Sequence, residues 1–204
     1  MKDRLNMKIF SAKNNYSFLA RFMTTVSESL QKVERTPEHH YEFQAYGSKK
    51  NYVKSVLEGH HDKLNFAGIL LAYASFEEIF LFDVKDLGKV FDSSLKLSDL
   101  SGSFVERCKK YIHKLCKVEP KELIIDWESI ADFATIRNFI VHSNGNITHA
   151  TSREKIKKVI NKYDGELALK YDTKLVVYPK YVNRVMILAK DTTVAINEYI
   201  GNKL

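Results

Sequence analysis

Arg137-Asn138-Phe139-Ile140-Val141-His142 sets a guanidinium, a carboxamide and an imidazole within one short run of chain. Those groups suit attack on a phosphodiester. Arginine forks onto phosphate oxygens, and histidine moves a proton at the attacking or the leaving oxygen. An unperturbed imidazole titrates at ~6.5, so it can trade protons near neutral pH. The surrounding stretch, Asp126 to His142, reads as a helix stopped by the turn chemistry of Ser143-Asn144-Gly145-Asn146. At about 100° per residue, Trp127, Ile130, Phe133, Ala134, Ile140 and Val141 define a broad apolar arc, with Arg137 near its middle and Asn138 inside its edge. A guanidinium facing a core is costly unless a carboxylate pairs with it or a cleft opens beside it. Glu77 and Glu78, in an otherwise uncharged apolar stretch, are the expected structural partners. A buried Arg137–Glu77 or Arg137–Glu78 salt bridge holding two helices in register is the alternative to a catalytic role. His142 follows Asn138 by four residues and shares its face. It also stands at the helix C-terminus, where the macrodipole favours imidazolium. Arg137 and His142 are ~140° apart on an ideal helix, so their convergence calls for arginine's length, a loosened last turn or a second subunit.

Two other Arg/His pairs have similar spacing. Arg35 to His40 is interrupted by Thr36-Pro37, which cannot continue a helix. Arg107 to His113 lies on Cys108-Lys109-Lys110, which reads as the solvated face of an amphipathic helix. Only the third pair combines a polar second residue, an apolar arc and an Asn-Gly stop.

With those features the chain resembles the HEPN superfamily (higher eukaryote and prokaryote nucleotide-binding domains). These are α-helical bundles marked by Arg, a polar residue, and His after four to six intervening positions. Ser143-Asn144-Gly145 and the glutamate of Ser75-Phe76-Glu77 add to the likeness, which extends over about residues 15 to 200. The resemblance implies a metal-independent endoribonuclease acting as a homodimer. In that chemistry the 2′-OH of the RNA attacks the adjacent phosphate and leaves a 2′,3′-cyclic phosphate and a 5′-OH. Transferred here, His142 is general acid/base, Arg137 stabilises the transition-state phosphate, Asn138 orients substrate or His142, and Asn144 supports from the following turn. The family's settings are toxin–antitoxin pairs, phage defence and RNA processing, which implies an antitoxin or defence-complex protein as a further partner. Members that have lost catalysis serve as interaction or RNA/nucleotide-binding modules, the alternative function.

RNA-backbone contacts are expected from Lys109, Lys110 and Lys114, and from Lys155, Lys157 and Lys158 of the stretch 154–162, which opens on Glu154. Tyr111, Tyr163, Tyr171 and Tyr178 could stack bases, although packing is the commoner use of tyrosine. No cofactor is implied, since the chain has no Gly-rich phosphate loop and no Gly-x-Ser-x-Gly elbow. No metal site is expected either: His39-His40 and His60-His61, with Glu38, Glu42, Glu58 and Asp62, lack zinc spacing.

The positioning elements follow from periodicity. Helices are expected from Tyr16 to Val33, from the forties to an interruption at Gly59, from Asp62 to Val84, from Phe104 to Lys117, from Asp126 to His142, from Ser152 to Lys162 and from Tyr181 to Tyr199. The alternating segment 167–178, with a turn at Asp172-Thr173, is expected to form a β-hairpin. The fold class is therefore mainly α, an antiparallel HEPN-like bundle in a single domain with a small accessory hairpin. Its 204 residues, 45% of them hydrophobic, can bury a sizeable core, which excludes a disordered tail or a disulfide-stapled miniprotein. Lys plus Arg exceed Asp plus Glu by 32 to 25, a net charge of +7 compatible with a polyanionic partner. Cys108 and Cys116, separated by a helical rise of ~12 Å, are too far apart to bridge. With no signal-peptide core and no apolar run of membrane-spanning length, the expectation is a cytoplasmic protein that does not enter membranes.

Overall fold

The computed structural model describes residues 2–34, 49–93 and 95–204. Six α-helices lie among them: α1 (Lys2–Glu34), α2 (Lys49–Val90), α3 (Phe104–Lys110), α4 (Trp127–Ser143), α5 (Arg153–Lys162) and α6 (Pro179–Lys203). Strands β1 (Leu167–Lys170) and β2 (Lys174–Val177) pair antiparallel, with Leu167 opposite Val177 and Lys170 opposite Lys174. The chain is mainly helical with one small hairpin, as periodicity predicts.

Helix α2 is the centre. Its residues Ile69, Ala72, Tyr73, Phe76, Phe80, Val84 and Leu87 are buried, a spacing of three and four that follows one side of the helix. Against it lie α1 and α6 along its length and α4 across its middle. Phe76 stacks on Phe80 at 5.0 Å, and Phe133 of α4 meets Tyr73 edge-on at 5.1 Å. Such aromatic contacts add to the area they bury. The hairpin closes one end of the core, where the buried Asn65 amide of α2 donates to the Val177 carbonyl at 2.7 Å. Lys162 clamps α5 onto α4, its Nζ 2.6 Å from Glu128 and 2.7 Å from Asp132.

Several expectations need correction. Gly59 does not interrupt a helix: α2 runs unbroken through it, and the two expected helices are one. A lone glycine costs only about 1 kcal/mol in a helix interior, too little by itself to end a helix of this length. Helix α1 begins well before Tyr16. The helix expected to reach Lys117 is α only to Lys110, then loosens into a π-turn over Tyr111–Leu115. The hairpin turn includes the expected Asp172-Thr173 and also Tyr171, with Tyr171 and Asp172 both at positive φ. The expected break at Thr36-Pro37, Arg35 with His40, and the Glu38, His39 and Glu42 cluster lie outside the described residues.

The stop of α4 has the expected chemistry. Asn144 caps it in the left-handed region (φ 47°, ψ 36°), and Gly145 follows at φ +69°. A Cβ on Gly145 would come within 2.7 Å of the Phe66 ring, so the turn can close onto α2 only with glycine there. Asn144→Ala is expected to cost about 1 kcal/mol in a urea melt, while Asn144→Gly holds or gains stability, because only the alanine strains this backbone.

Candidate active site on α4

Asp126 caps the start of α4, its side chain accepting from the Ser129 amide at 3.0 Å. The helix buries Ile130, Phe133, Ile136, Phe139 and Ile140. That face is rotated from the expected arc, since Val141 is 48% exposed and Ala134 only half-buried. Arg137 therefore stands at the margin of the core rather than at its middle, and Asn138 is exposed outside it. Ile136 and Phe139 carry more apolar surface than Ala134, so the rotation that buries them is the more favourable one.

Arg137 is half-buried. Its guanidinium lies over the Tyr73 ring at 5.2 Å, and its Nη1 donates to Asn138 Oδ1 at 2.8 Å. Among the described residues it makes no ion pair. Glu77 is half-buried and Glu78 exposed, and neither carboxylate reaches Arg137 within ion-pair distance. Glu77 is nevertheless close enough to act on Tyr73, whose phenol burial chiefly pushes up to about 12, with Glu77 raising it further and Arg137 opposing. Tyr73 is the site residue that sequence reasoning missed. It sits in an apolar run and reads as core, and only the α2–α4 crossing reveals that its face carries the guanidinium.

His142 is exposed in the last turn of α4. With Asn138, Thr135, Ser143, Ser152 and Lys155 it lines a groove of about 170 Å³ between α4 and the start of α5. Asn138 thus links the two halves of the motif: its oxygen accepts from Arg137, and it lines the groove that His142 also lines. Arg137 itself does not line that groove. Of the expected backbone lysines, Lys155 joins the groove, and Lys157 and Lys158 are exposed further along α5. Lys109 and Lys114 are exposed on or just past α3, outside the groove lining, and Lys110 donates to the Ser101 carbonyl at 2.9 Å.

His113 is wholly engaged. Its Nδ1 lies 2.7 Å from the Val118 carbonyl and its Nε2 accepts from the Trp127 indole at 3.0 Å, an arrangement that suits a neutral ring with the proton on Nδ1. The Arg107–His113 pair is therefore not a second copy of the motif. Arg107, however, is half-buried, not the solvated residue its neighbours suggest. Cys108 and Cys116 are buried free thiols, both pushed up by burial, Cys108 to about 12 and Cys116 to about 11, which makes them poor nucleophiles. Among the described residues no three His, Cys, Asp or Glu side chains gather as a metal site, and no helix is long and apolar enough to cross a membrane. Compared with protein-family models, with curated proteins and with solved structures, the chain matches none.

Proposed function

We propose that the protein is a metal-independent endoribonuclease of the HEPN type, with His142, Arg137 and Asn138 as its reacting groups. One observation carries the reading. A half-buried arginine, with no carboxylate at ion-pair distance among the described residues, is tethered through Asn138 to a groove that an exposed histidine and Lys155 share. A phosphate is the natural occupant of such a set. Lys155 and Asn138 Nδ2 can hold its oxygens in the groove, and arginine can fork onto charge that grows in the transition state. His142 then takes the 2′-OH proton as that oxygen attacks phosphorus, or gives one to the departing O5′. The P–O5′ bond breaks and the products are a 2′,3′-cyclic phosphate and a 5′-OH.

Within one chain Arg137 and His142 face opposite sides of Asn138. The exposed Val141 lies between them on the helix surface and offers an apolar seat for the same helix of a second copy. Pairing two copies there lets the arginine of one serve the histidine of the other, the homodimer that the resemblance implies. A toxin or phage-defence role, in the cytoplasm and with an antitoxin or complex partner, belongs to the same proposal.

The test is incubation of the purified protein with RNA and with DNA in EDTA. RNA cleavage that survives chelation, spares DNA and leaves cyclic phosphate ends supports the reading; metal-dependent cleavage overturns it. The alternative, a non-catalytic helical interaction module or RNA/nucleotide-binding subunit, draws on the packing of Arg137 against Tyr73. It predicts no cleavage at any protein concentration.

A further inference from the structure

A second site lies away from the α4 groove. A cleft of about 950 Å³ runs between α2 and α3, roofed by the connector that joins them. Glu77, Leu81, Lys85 and Gly88 recur along α2 at spacings of three and four, so one stripe of that helix forms its floor, with Asp92 just past its end. Phe104, Arg107 and Tyr111 form the facing wall by the same rule. The helices approach closely because Gly88 has no side chain: a Cβ there would fall 2.1 Å from the Tyr111 hydroxyl.

The wall holds an anomaly. Arg107 Nε is sealed from solvent and has no hydrogen-bond partner. Among the described residues no carboxylate comes within ion-pair distance of Arg107, although Glu77 and Asp92 line the same cleft. Buried polar groups are nearly always satisfied, and a half-buried guanidinium without a partner is costly. Lys85 and Lys96 add positive charge at the cleft, and Lys89 is held by Asp86 at 2.7 Å. Leu81, Leu97 and Phe104 supply an apolar surface beside these cations. A concave, largely apolar cavity with a few convergent polar groups is the form small-molecule sites take.

We infer that this cleft binds a small organic phosphate, its anionic head on Arg107 with Lys85 and Lys96 nearby, and its ring or apolar body along Leu81 and Phe104. Guanidinium and phosphate satisfy each other bidentately, so a phosphate in the cleft supplies the counter-charge that Arg107 lacks among the described residues. The inference does not rest on the nuclease reading, because none of the α4 groove residues lines the cleft.

The experiment is calorimetric titration and thermal melting of the full chain with adenosine monophosphate, adenosine and inorganic phosphate as probes. Adenosine monophosphate is expected to bind and raise the melting temperature, with adenosine and inorganic phosphate each at least tenfold weaker. Arg107→Met is expected to weaken that binding at least tenfold, while the ligand-free variant melts no lower than the parent, since a stranded charge has been removed. The exposed double change Lys85→Ala with Lys96→Ala leaves folding intact and weakens binding severalfold. Any of four results overturns the inference: no binding of adenosine monophosphate at millimolar concentration, equal binding of inorganic phosphate, unchanged binding by Arg107→Met, or a clearly lower melting temperature for that variant without ligand.

Discussion

His142→Ala is expected to slow RNA cleavage by about 10²–10⁴-fold, the usual contribution of a positioned acid or base, and to leave folding stability within about 0.5 kcal/mol, as for most exposed positions. The separation of the two effects is what makes the result decisive. His142 is exposed, and among the described residues it makes no hydrogen bond or ion pair, so its loss removes chemistry without removing packing. Arg137→Ala should abolish cleavage comparably. It should also cost about 1 kcal/mol of stability, the size of a cation–π contact over Tyr73. It should not cost the several kcal/mol expected when a buried ion pair is broken, because among the described residues no carboxylate pairs with Arg137. Arg137→Lys keeps the charge and loses the fork, so activity should fall while stability changes little. Single-turnover cleavage and urea melts on the same preparations read both quantities. Cleavage unaffected by either alanine variant would sink the proposed site.

Asp83→Asn is expected to stabilise the fold at pH 8 by about 1–3 kcal/mol and to have lost that gain by pH 4. Asp83 is 1% exposed on α2, facing Lys8 of α1 at 3.5 Å, with Asp86 one turn on along α2. Among the described residues its Oδ2 has no hydrogen-bond partner. Burial is the chief reason that its carboxyl is pushed up from 3.8 to about 6, with the Asn197 side chain and then Lys8 opposing the rise and Asp86 adding to it. A raised acid holds its proton in the folded state at pH values where the unfolded chain has released it. Its contribution is therefore favourable below the unfolded value and is lost as pH rises through about 6. A shift of that size corresponds to about 3 kcal/mol at high pH. Asparagine removes the desolvated charge, and Lys8 keeps Asp86 at 2.6 Å. Other carboxylates move the opposite way: Glu166, held by Arg184, lies below its ordinary range. The difference between variant and parent melts, measured from pH 4 to pH 8, isolates Asp83. A gain that does not change with pH, or a loss at pH 8, would contradict the assignment.

The legible part of the candidate site was local. Asn144 and Gly145 form the left-handed stop that their side chains favour, and Asn138 and His142 share a face because four residues make about one helical turn. Arg137 was harder to place. Its helix carries apolar residues on more than half of its circumference, so periodicity alone admits several core faces, and only the tertiary packing that buries Ile136 and Phe139 chooses among them. The lysine neighbours of Arg107 predict a solvated residue, and it is half-buried. Its burial depends on Gly88, some twenty positions away, letting Tyr111 approach α2.

The sequence by itself determined the helical class, the hairpin, the stop of α4 and the exclusion of a Cys108–Cys116 bridge, because each follows from interactions within a few residues along the chain. Tertiary structure decided which face of α4 is buried, that Tyr73 carries the guanidinium in place of Glu77, that α2 continues through Gly59, and that Arg107 is left unpaired over a cleft. Those outcomes come from competition among side chains distant in sequence for the same buried volume, and the local pattern holds no measure of which competitor wins.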